Sequence, residues 1–145
     1  MANPPFAGFG GLSPYLYYAD GAAALDWLAD KFGFQEKVRF LDAEGVVREA
    51  ELFAGDTLIM LHGGGPADEP PATPAGGMSI VYVDDVDAHH ARAVAAGLDA
   101  PAPTDQPYGA RIYMADDLGG HTWTFWQKLS DHVDLQPGWQ EIRPE

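Results

Sequence analysis

The same order of local patterns occurs twice along this chain, in residues 12–62 and again in residues 78–127. Each copy contains an extended run, an Asp, an Ala-rich helix that ends at a Gly, and then further strands. Corresponding positions lie about 64 residues apart, as expected for two copies of one supersecondary unit. We therefore predict a single α+β domain of tandem paired βαβββ modules that form a concave sheet pocket.

The first module carries clear signals at its helix ends and turns. Asp20 is a suitable N-cap for the helix, and Gly33 follows where a left-handed C-cap is expected. Asp42-Ala-Glu-Gly45 is a hairpin signal, and Gly55-Asp56 makes the next turn. The helix is predicted over residues 21–32, and the strands over residues 12–19, 35–41, 46–53 and 57–62.

The second module follows a linker at residues 63–77, which is rich in Gly and Pro and lacks apolar periodicity. Asp84 or Asp85 caps the second helix, and Gly97 ends it. Because Pro donates no backbone hydrogen bond, residues 100–103 are limited to an edge strand or a loop. The helix is predicted over residues 86–96, the strands over 79–83, 110–115 and 121–127, and a tail that could pack on a partner subunit over 128–145.

Composition limits the partners of this chain. Its 145 residues suit one domain that folds without a metal, and the absence of Cys excludes disulfides and cysteine nucleophiles. A net charge of −14 with only 8 Lys and Arg argues against nucleic acid and against an anionic membrane. The charge would favour a cationic ligand, or it serves solubility alone. Without a signal peptide or an apolar run long enough to cross a membrane, we expect a cytoplasmic protein.

Two motifs near the end of the second module resemble those of a known family. Tyr108-Gly-Ala-Arg111 precedes Asp116-Asp-Leu-Gly-Gly-His-Thr-Trp123. Together with the paired modules over residues 12–127, they are similar to the vicinal oxygen chelate superfamily of glyoxalase I, bleomycin-resistance proteins and extradiol dioxygenases. The motifs most resemble its PhnB-like branch, except that Leu118 replaces a usual Pro. The resemblance implies that a second chain completes the pocket, so we expect a homodimer.

The resemblance also implies where a metal would bind. In metal-using members, His and Glu ligands come from the first and last strands of each module. The corresponding positions here are Ser13, Met60, Met78 and Thr124. Hydroxyl and thioether groups are poor ligands for the divalent ions of such sites, so we expect neither a metal nor another cofactor.

Alternation along the strands predicts which side chains line the concave pocket. They are Ser13, Tyr15, Tyr17, Leu58, Met60, His62, Met78, Ile80, Tyr82, Thr122, Thr124 and Trp126. This aromatic wall with hydroxyl groups suits a flat or amphipathic small molecule, and its ring faces attract cations. The alternative is a dimer interface or a second core.

His62 and Arg111 are candidate polar residues of this pocket. His62 is the only histidine predicted there, and an imidazole is a suitable general base. Its alternative role is that of a strand-end histidine without a carboxylate partner. Arg111 could clamp a ligand together with Glu49 and Glu51, or it could form an ordinary ion pair.

The other histidines are predicted outside the pocket. His121 should face the helix side with Trp123 and make a structural hydrogen bond. His89 and His90 diverge by about 100° around a helix, so they cannot bind one metal ion and are expected on the surface.

These observations lead to two functional hypotheses. The first is a metal-free protein, similar to bleomycin-resistance proteins, that binds a small organic ligand, cationic or aromatic, in the aromatic pocket. The second is an enzyme: a metal-dependent lyase, isomerase or dioxygenase-like member of the superfamily, or a metal-free catalyst that uses His62. A Gly-rich phosphate loop and a Ser nucleophile elbow are both absent from the sequence, which argues against nucleotide binding and serine hydrolysis.

Overall fold

The computed structural model describes residues 4–5, 7–8, 11–64 and 78–141. Within these ranges the elements of the first module are β1 (Tyr15–Tyr18), α1 (Gly21–Trp27) with a π-helical extension (Leu28–Phe32), β2 (Gln35–Leu41), β3 (Val47–Ala54) and β4 (Thr57–Gly63). Those of the second are β5 (Ser79–Tyr82), α2 (Val86–Ala95), β6 (Thr104–Gln106), β7 (Ala110–Asp116) and β8 (Thr122–Lys128). Most of the predicted linker lies outside the described residues.

Each module forms one four-stranded sheet. The strand orders are β1-β4-β3-β2 and β5-β8-β7-β6, so the two modules share one topology. The first strand of each module pairs in parallel with the last, and the other pairs are antiparallel. The predicted α+β fold of paired βαβββ modules is confirmed. In the part of the chain that the structure describes, no helix has the length and apolar character needed to span a membrane.

The predicted helix caps are present. Asp20 and Asp85 each accept a 3.0 Å hydrogen bond from the backbone N–H three residues further on. Gly33 and Gly97 follow the two helices with φ angles of 78° and 98°, a left-handed conformation that favours glycine. Of the two caps considered for the second helix, Asp85 is the one used rather than Asp84.

Proline explains two features of the strand boundaries, the late start of β1 and the loop before β6. β1 begins only at Tyr15, because the preceding Pro14 has no N–H to donate to the ladder. Residues 100–103 form a loop, and the short edge strand β6 starts directly after them at Thr104. This outcome is one of the two that the prolines allowed.

The hydrophobic core lies between the two sheets and contains both helices. The ring of Phe32 contacts those of Trp123 and Phe125 on β8, at centroid distances of 5.7 and 4.9 Å. Helix α2 packs on its own sheet and on the π-helical extension of α1. The helix-bearing faces of both sheets meet in this core. The opposite faces are here called the first and second outer faces, and no described helix packs on them.

A buried carboxylate joins the two modules. Asp117, which is 7% exposed, accepts hydrogen bonds from the Tyr18 hydroxyl at 2.5 Å and from the Trp123 Nε1–H at 2.9 Å. It also accepts two backbone N–H groups of its own turn. His121 Nε2 lies 2.9 Å from the carbonyl oxygen of Tyr17, which agrees with the predicted structural role of this histidine. The motif at residues 116–123 of the second module therefore binds β1 of the first module through hydrogen bonds.

His89 is half-buried between the modules, so the prediction that it lies on the surface is wrong. Its Nε2 donates to the carbonyl oxygen of Phe32 at 2.8 Å, and its Nδ1 accepts from the Tyr113 hydroxyl at 2.6 Å. The ring stacks on Phe125 with a centroid distance of 4.2 Å. His90 is also half-buried, with Nε2 3.1 Å from a loop carbonyl. Contact with Phe32 of the other module helps to cover His89, and a loop and a ring of its own module, Ala100 and Tyr113, cover His90.

We expect the stability of the fold to decrease on acidification through His89. Burial lowers the pKa of His89 below 6.5; the hydrogen bond to Phe32 opposes this shift, and the charges of Arg92 and His90 add to it. The folded chain therefore favours the neutral ring. The resulting stabilisation is complete above pH 6.5 and is lost as the pH falls from there towards the lowered pKa.

Urea denaturation midpoints measured between about pH 5 and 8 test this expectation. His89→Gln should flatten the pH dependence in this range. His132→Gln, which alters an exposed histidine, should leave the dependence as it is in the original protein. An undiminished slope in His89→Gln would contradict the assignment.

Candidate functional site

The predicted lining residues fall on two separate outer faces. Alternation in β1 and β4 places Tyr15, Tyr17, Leu58, Met60 and His62 on the first outer face. Alternation in β5 and β8 places Ile80, Tyr82, Thr122, Thr124 and Trp126 on the second, next to Met78. Ser13 precedes β1 and is exposed. One chain does not bring the two faces together, since the core lies between them.

The first outer face contains an open cavity of about 370 Å³, lined by Tyr15, Leu16, Tyr17 and His62. It lies at the free edge of the sheet, because β1 is an edge strand. The Tyr17 ring is tilted against the His62 ring at a centroid distance of 5.5 Å, and the Tyr15 ring meets it edge-on at 6.5 Å. The Tyr17 hydroxyl is buried and has no hydrogen-bond partner in the described part of the chain.

His62 has a carboxylate partner that the sequence reading did not assign to it. Glu49 of β3 lies directly opposite His62 in the antiparallel register, with Oε1 3.0 Å from His62 Nδ1. Tyr15 donates its hydroxyl to the same carboxylate, 2.7 Å from each oxygen. An ionised carboxylate only accepts, so Nδ1 carries the proton and Nε2 is left as an acceptor. Among the described residues, Nε2 has no hydrogen-bond partner.

The hydrogen bonds fix the charges of this group. Burial acts to raise the pKa of Glu49, but hydrogen bonds from His62 and Tyr15, together with the His62 charge, outweigh it and hold that pKa below 4.5. The hydrogen bond to Glu49, and to a lesser extent burial and the Glu49 charge, raise the pKa of Tyr15 above 10.0. At neutral pH an anionic carboxylate therefore lies beside the His62 and Tyr15 rings that line the cavity.

The second outer face is an exposed aromatic surface centred on Trp126. The Tyr108 ring stacks on Trp126 at 5.0 Å, and the Tyr82 ring lies 6.1 Å away. Tyr82 is 74% exposed, and Ile80 and Met114 are 44% and 40% exposed. Sequence reasoning missed Tyr108 as a lining residue, because a loop rather than strand alternation brings it there. Exposed apolar side chains grouped on one face are typical of binding or interaction sites.

The positions that the resemblance implies for a metal do not fit one. Thr124 donates its hydroxyl to Met78 Sδ at 3.0 Å, and Met60 lies on the other outer face. Ser13 is exposed and precedes the first strand. Within the described ranges, no three His, Asp or Glu side chains converge as a metal site would require. The Glu49 and His62 pair alone is an incomplete ligand set for a divalent ion.

Arg111 does not join the site. Its guanidinium pairs with Asp87 of α2 at 2.9 Å and with Asp105 of β6 at 3.0 Å, on the helix-bearing side of the sheet. The predicted ligand clamp of Arg111 with the two glutamates of β3 is therefore wrong, and its alternative, an ordinary ion pair, is what forms. Arg111 shares its side of β7 with the buried Tyr113, two residues further on.

The topology and the exposed sheet faces define a class of paired-module proteins, and comparison with known families identifies the class. Residues 11–125 match the family model of the Glyoxalase/Bleomycin resistance protein/Dioxygenase superfamily. The chain therefore belongs to this superfamily.

Relatives and solved structures support the assignment. An uncharacterized protein of Mycobacterium bovis is 32% identical over 130 residues, which cover 83% of this chain and 84% of that protein. TioX from Micromonospora sp. ML1 is 36% identical, with a TM-score of 0.64 over 82% of this chain and 100% of TioX. TnmS3, an antibiotic binding protein from Streptomyces sp. CB03234, is 23% identical, with a TM-score of 0.61 over 81% of this chain and 96% of TnmS3. At that identity, the likeness to TnmS3 shows a shared fold alone.

Proposed function

We propose that this protein binds a small planar organic ligand against its aromatic outer faces, without a metal, and that the ligand carries a hydrogen-bond donor or a positive charge. The observation that carries the proposal is the cavity lined by Tyr15, Tyr17 and His62, in which Tyr15 and His62 hydrogen-bond the carboxylate of Glu49. The Glu49 carboxylate and Nε2 of His62 are hydrogen-bond acceptors, and such groups attract donors and cations. The net charge of −14 adds a favourable long-range field for a cation.

The comparisons support a binding role of this kind. TnmS3, which shares the fold, is an antibiotic binding protein. A metal-dependent lyase, isomerase or dioxygenase would need ligands that the described residues do not bring together. Membership of the PhnB-like branch and a cytoplasmic location stay predictions from the sequence.

We further propose that a second copy of the chain completes the pocket. The cavity opens at the free edge of β1, and the second outer face ends in the equally free edge of β5. A twofold dimer would place the first outer face of one copy against the second outer face of its partner and form two identical pockets. This arrangement would also cover the exposed rings of Tyr82 and Trp126.

Titration with proflavine, a planar acridine cation, tests the binding role through the change in its fluorescence. We expect saturable binding that weakens at least about tenfold in Tyr17→Ala or Trp126→Ala, because stacking and cation–π contacts each contribute about 1 kcal/mol. Arg111→Ala is the matched control and should keep the affinity, since this side chain lies off both faces.

Fluorescein, a planar anion, should bind more weakly than proflavine because Glu49 repels it. Equal affinity for both dyes would contradict the preference for a donor or a cation. Failure of both dyes to bind would contradict the binding role itself.

A further inference from the structure

The pair of His62 and Glu49 has the geometry of a general base. Nδ1 of the ring is held by Oε1 of Glu49 at 3.0 Å, while the ring itself lines the 370 Å³ cavity. The other ring nitrogen, Nε2, is an acceptor without a partner in the described part of the chain. We propose that His62 removes a proton from a carbon acid bound in this cavity, so that the protein catalyses metal-independent proton transfer in addition to binding.

The carboxylate is placed to support such a reaction. When Nε2 accepts a proton, the imidazole becomes a cation, and a carboxylate on Nδ1 fixes the required tautomer and stabilises that cation. Tyr15 holds Glu49 in turn through its hydroxyl, 2.7 Å from each carboxylate oxygen. Three side chains from three neighbouring strands thus form one chain of hydrogen bonds. Tyr15 acts on the ligand through Glu49 and is a positioning residue.

Stability alone does not account for this arrangement. The side chains of His62 and Glu49 are 38% and 44% exposed, and exposed pairs contribute little to folding. A second feature is the Tyr17 ring, whose centroid lies 5.5 Å from that of His62 and whose hydroxyl is buried without a partner among the described residues. A free hydroxyl donor in an active site can stabilise the negative charge that develops when a base removes a proton.

Nitrobenzisoxazole is a suitable probe, because it is planar, aromatic and a carbon acid. His62 Nε2 would take the proton from its ring carbon, the C–H electron pair would complete a nitrile, and the N–O bond would break to leave its electrons on a phenolate oxygen. No oxidant or other reactant is needed. The coloured nitrophenolate product is followed by its absorbance.

We expect saturable turnover of this probe. His62→Gln should lower kcat at least about 100-fold, the usual contribution of a general base. Glu49→Gln should lower kcat about tenfold and alter KM less, because it weakens the base and leaves the aromatic walls in place. Tyr15→Phe should have an effect in the same direction but smaller.

A second histidine–carboxylate pair on the same chain provides the matched control. His132 Nε2 lies 2.6 Å from Asp134 in the exposed tail, where both side chains are more than two-thirds exposed and none of the cavity residues is near in sequence. His132→Gln should leave turnover unchanged. Equal loss in His132→Gln and His62→Gln would overturn the proposal, because the cavity would then have no special role.

The inference rests on the proposed pocket, and proflavine binding separates the two failures. If His62→Gln still binds proflavine and the original protein turns over the probe no faster than this variant, general-base catalysis is overturned while the binding role stands. If the folded original protein binds neither proflavine nor nitrobenzisoxazole, both proposals are overturned.

Discussion

Asp117→Ala is expected to lower the free energy of unfolding by about 3–5 kcal/mol. The Asp117 carboxylate is 7% exposed and accepts four hydrogen bonds, including those of Tyr18 and Trp123. Alanine leaves these donors buried without an acceptor, and each unsatisfied group costs about 1–3 kcal/mol, although such losses do not add fully. Urea denaturation followed by circular dichroism at neutral pH measures the effect.

The adjacent aspartate supplies the control. Asp116 is exposed, and the structure shows it accepting one side-chain hydrogen bond, from Thr122. Asp116→Ala should therefore lower the free energy of unfolding by less than about 1 kcal/mol. Tyr18→Phe should lower it by about 1–2 kcal/mol, between the effects of Asp116→Ala and Asp117→Ala. Similar losses for Asp116→Ala and Asp117→Ala would mean that the buried carboxylate does not join the modules.

Gly63→Ala is expected to lower the free energy of unfolding by about 3 kcal/mol, which is at the upper end of the effects of overpacking. A Cβ at position 63 would lie 2.1 Å from the carbonyl oxygen of Val47 and 3.2 Å from the Cα of Gly21. These are backbone atoms, so β4 could only move away from β3 and from the start of α1. Because Gly63 follows His62 directly, proflavine affinity should fall together with stability.

Gly11→Ala is the matched control for this substitution. Nothing lies within 4 Å of a Cβ at position 11, and neither glycine has a positive φ, so the comparison isolates the steric term. Thermal and urea denaturation of both variants should show a loss in Gly63→Ala alone. A neutral Gly63→Ala would contradict the close approach of β4 to Val47.

Strand alternation and turn signals predicted the local structure of the site. They placed Tyr15, Tyr17 and His62 on one face, because side chains alternate along each strand. The Glu49 partner of His62 was missed, although the sequence contains the signal for it. The two-residue turn Gly55-Asp56 sets the β3 and β4 register, and continuing that register places Glu49 opposite His62.

Packing between the modules could not be predicted in the same way. Repeats show that two modules exist, but the contact of Phe32 with Trp123 and Phe125 decides that their helix-bearing faces meet. The burial of His89 depends on that contact. Arg111 is a different case. Strand alternation places it on the same side of β7 as Tyr113, which is the helix-bearing side. It was nevertheless assigned to the pocket because it belongs to a motif.

The central claim is that each pocket joins the first outer face of one copy to the second outer face of another. Tyr17→Ala alters the first face, and Trp126→Ala alters the second. A hybrid dimer of the two variants would contain one doubly altered pocket and one unaltered pocket. Half of the dimers in an equal mixture are hybrids, so about one quarter of the original high-affinity sites should return.

The most direct measurement is a proflavine titration of the two variants, first separately and then after they are unfolded and refolded together. The proposed dimer predicts few high-affinity sites in each variant alone and recovery of about one quarter in the mixture. No recovery, in a mixture that forms dimers of twice the 15.6 kDa chain mass, would show that the two faces do not share a pocket.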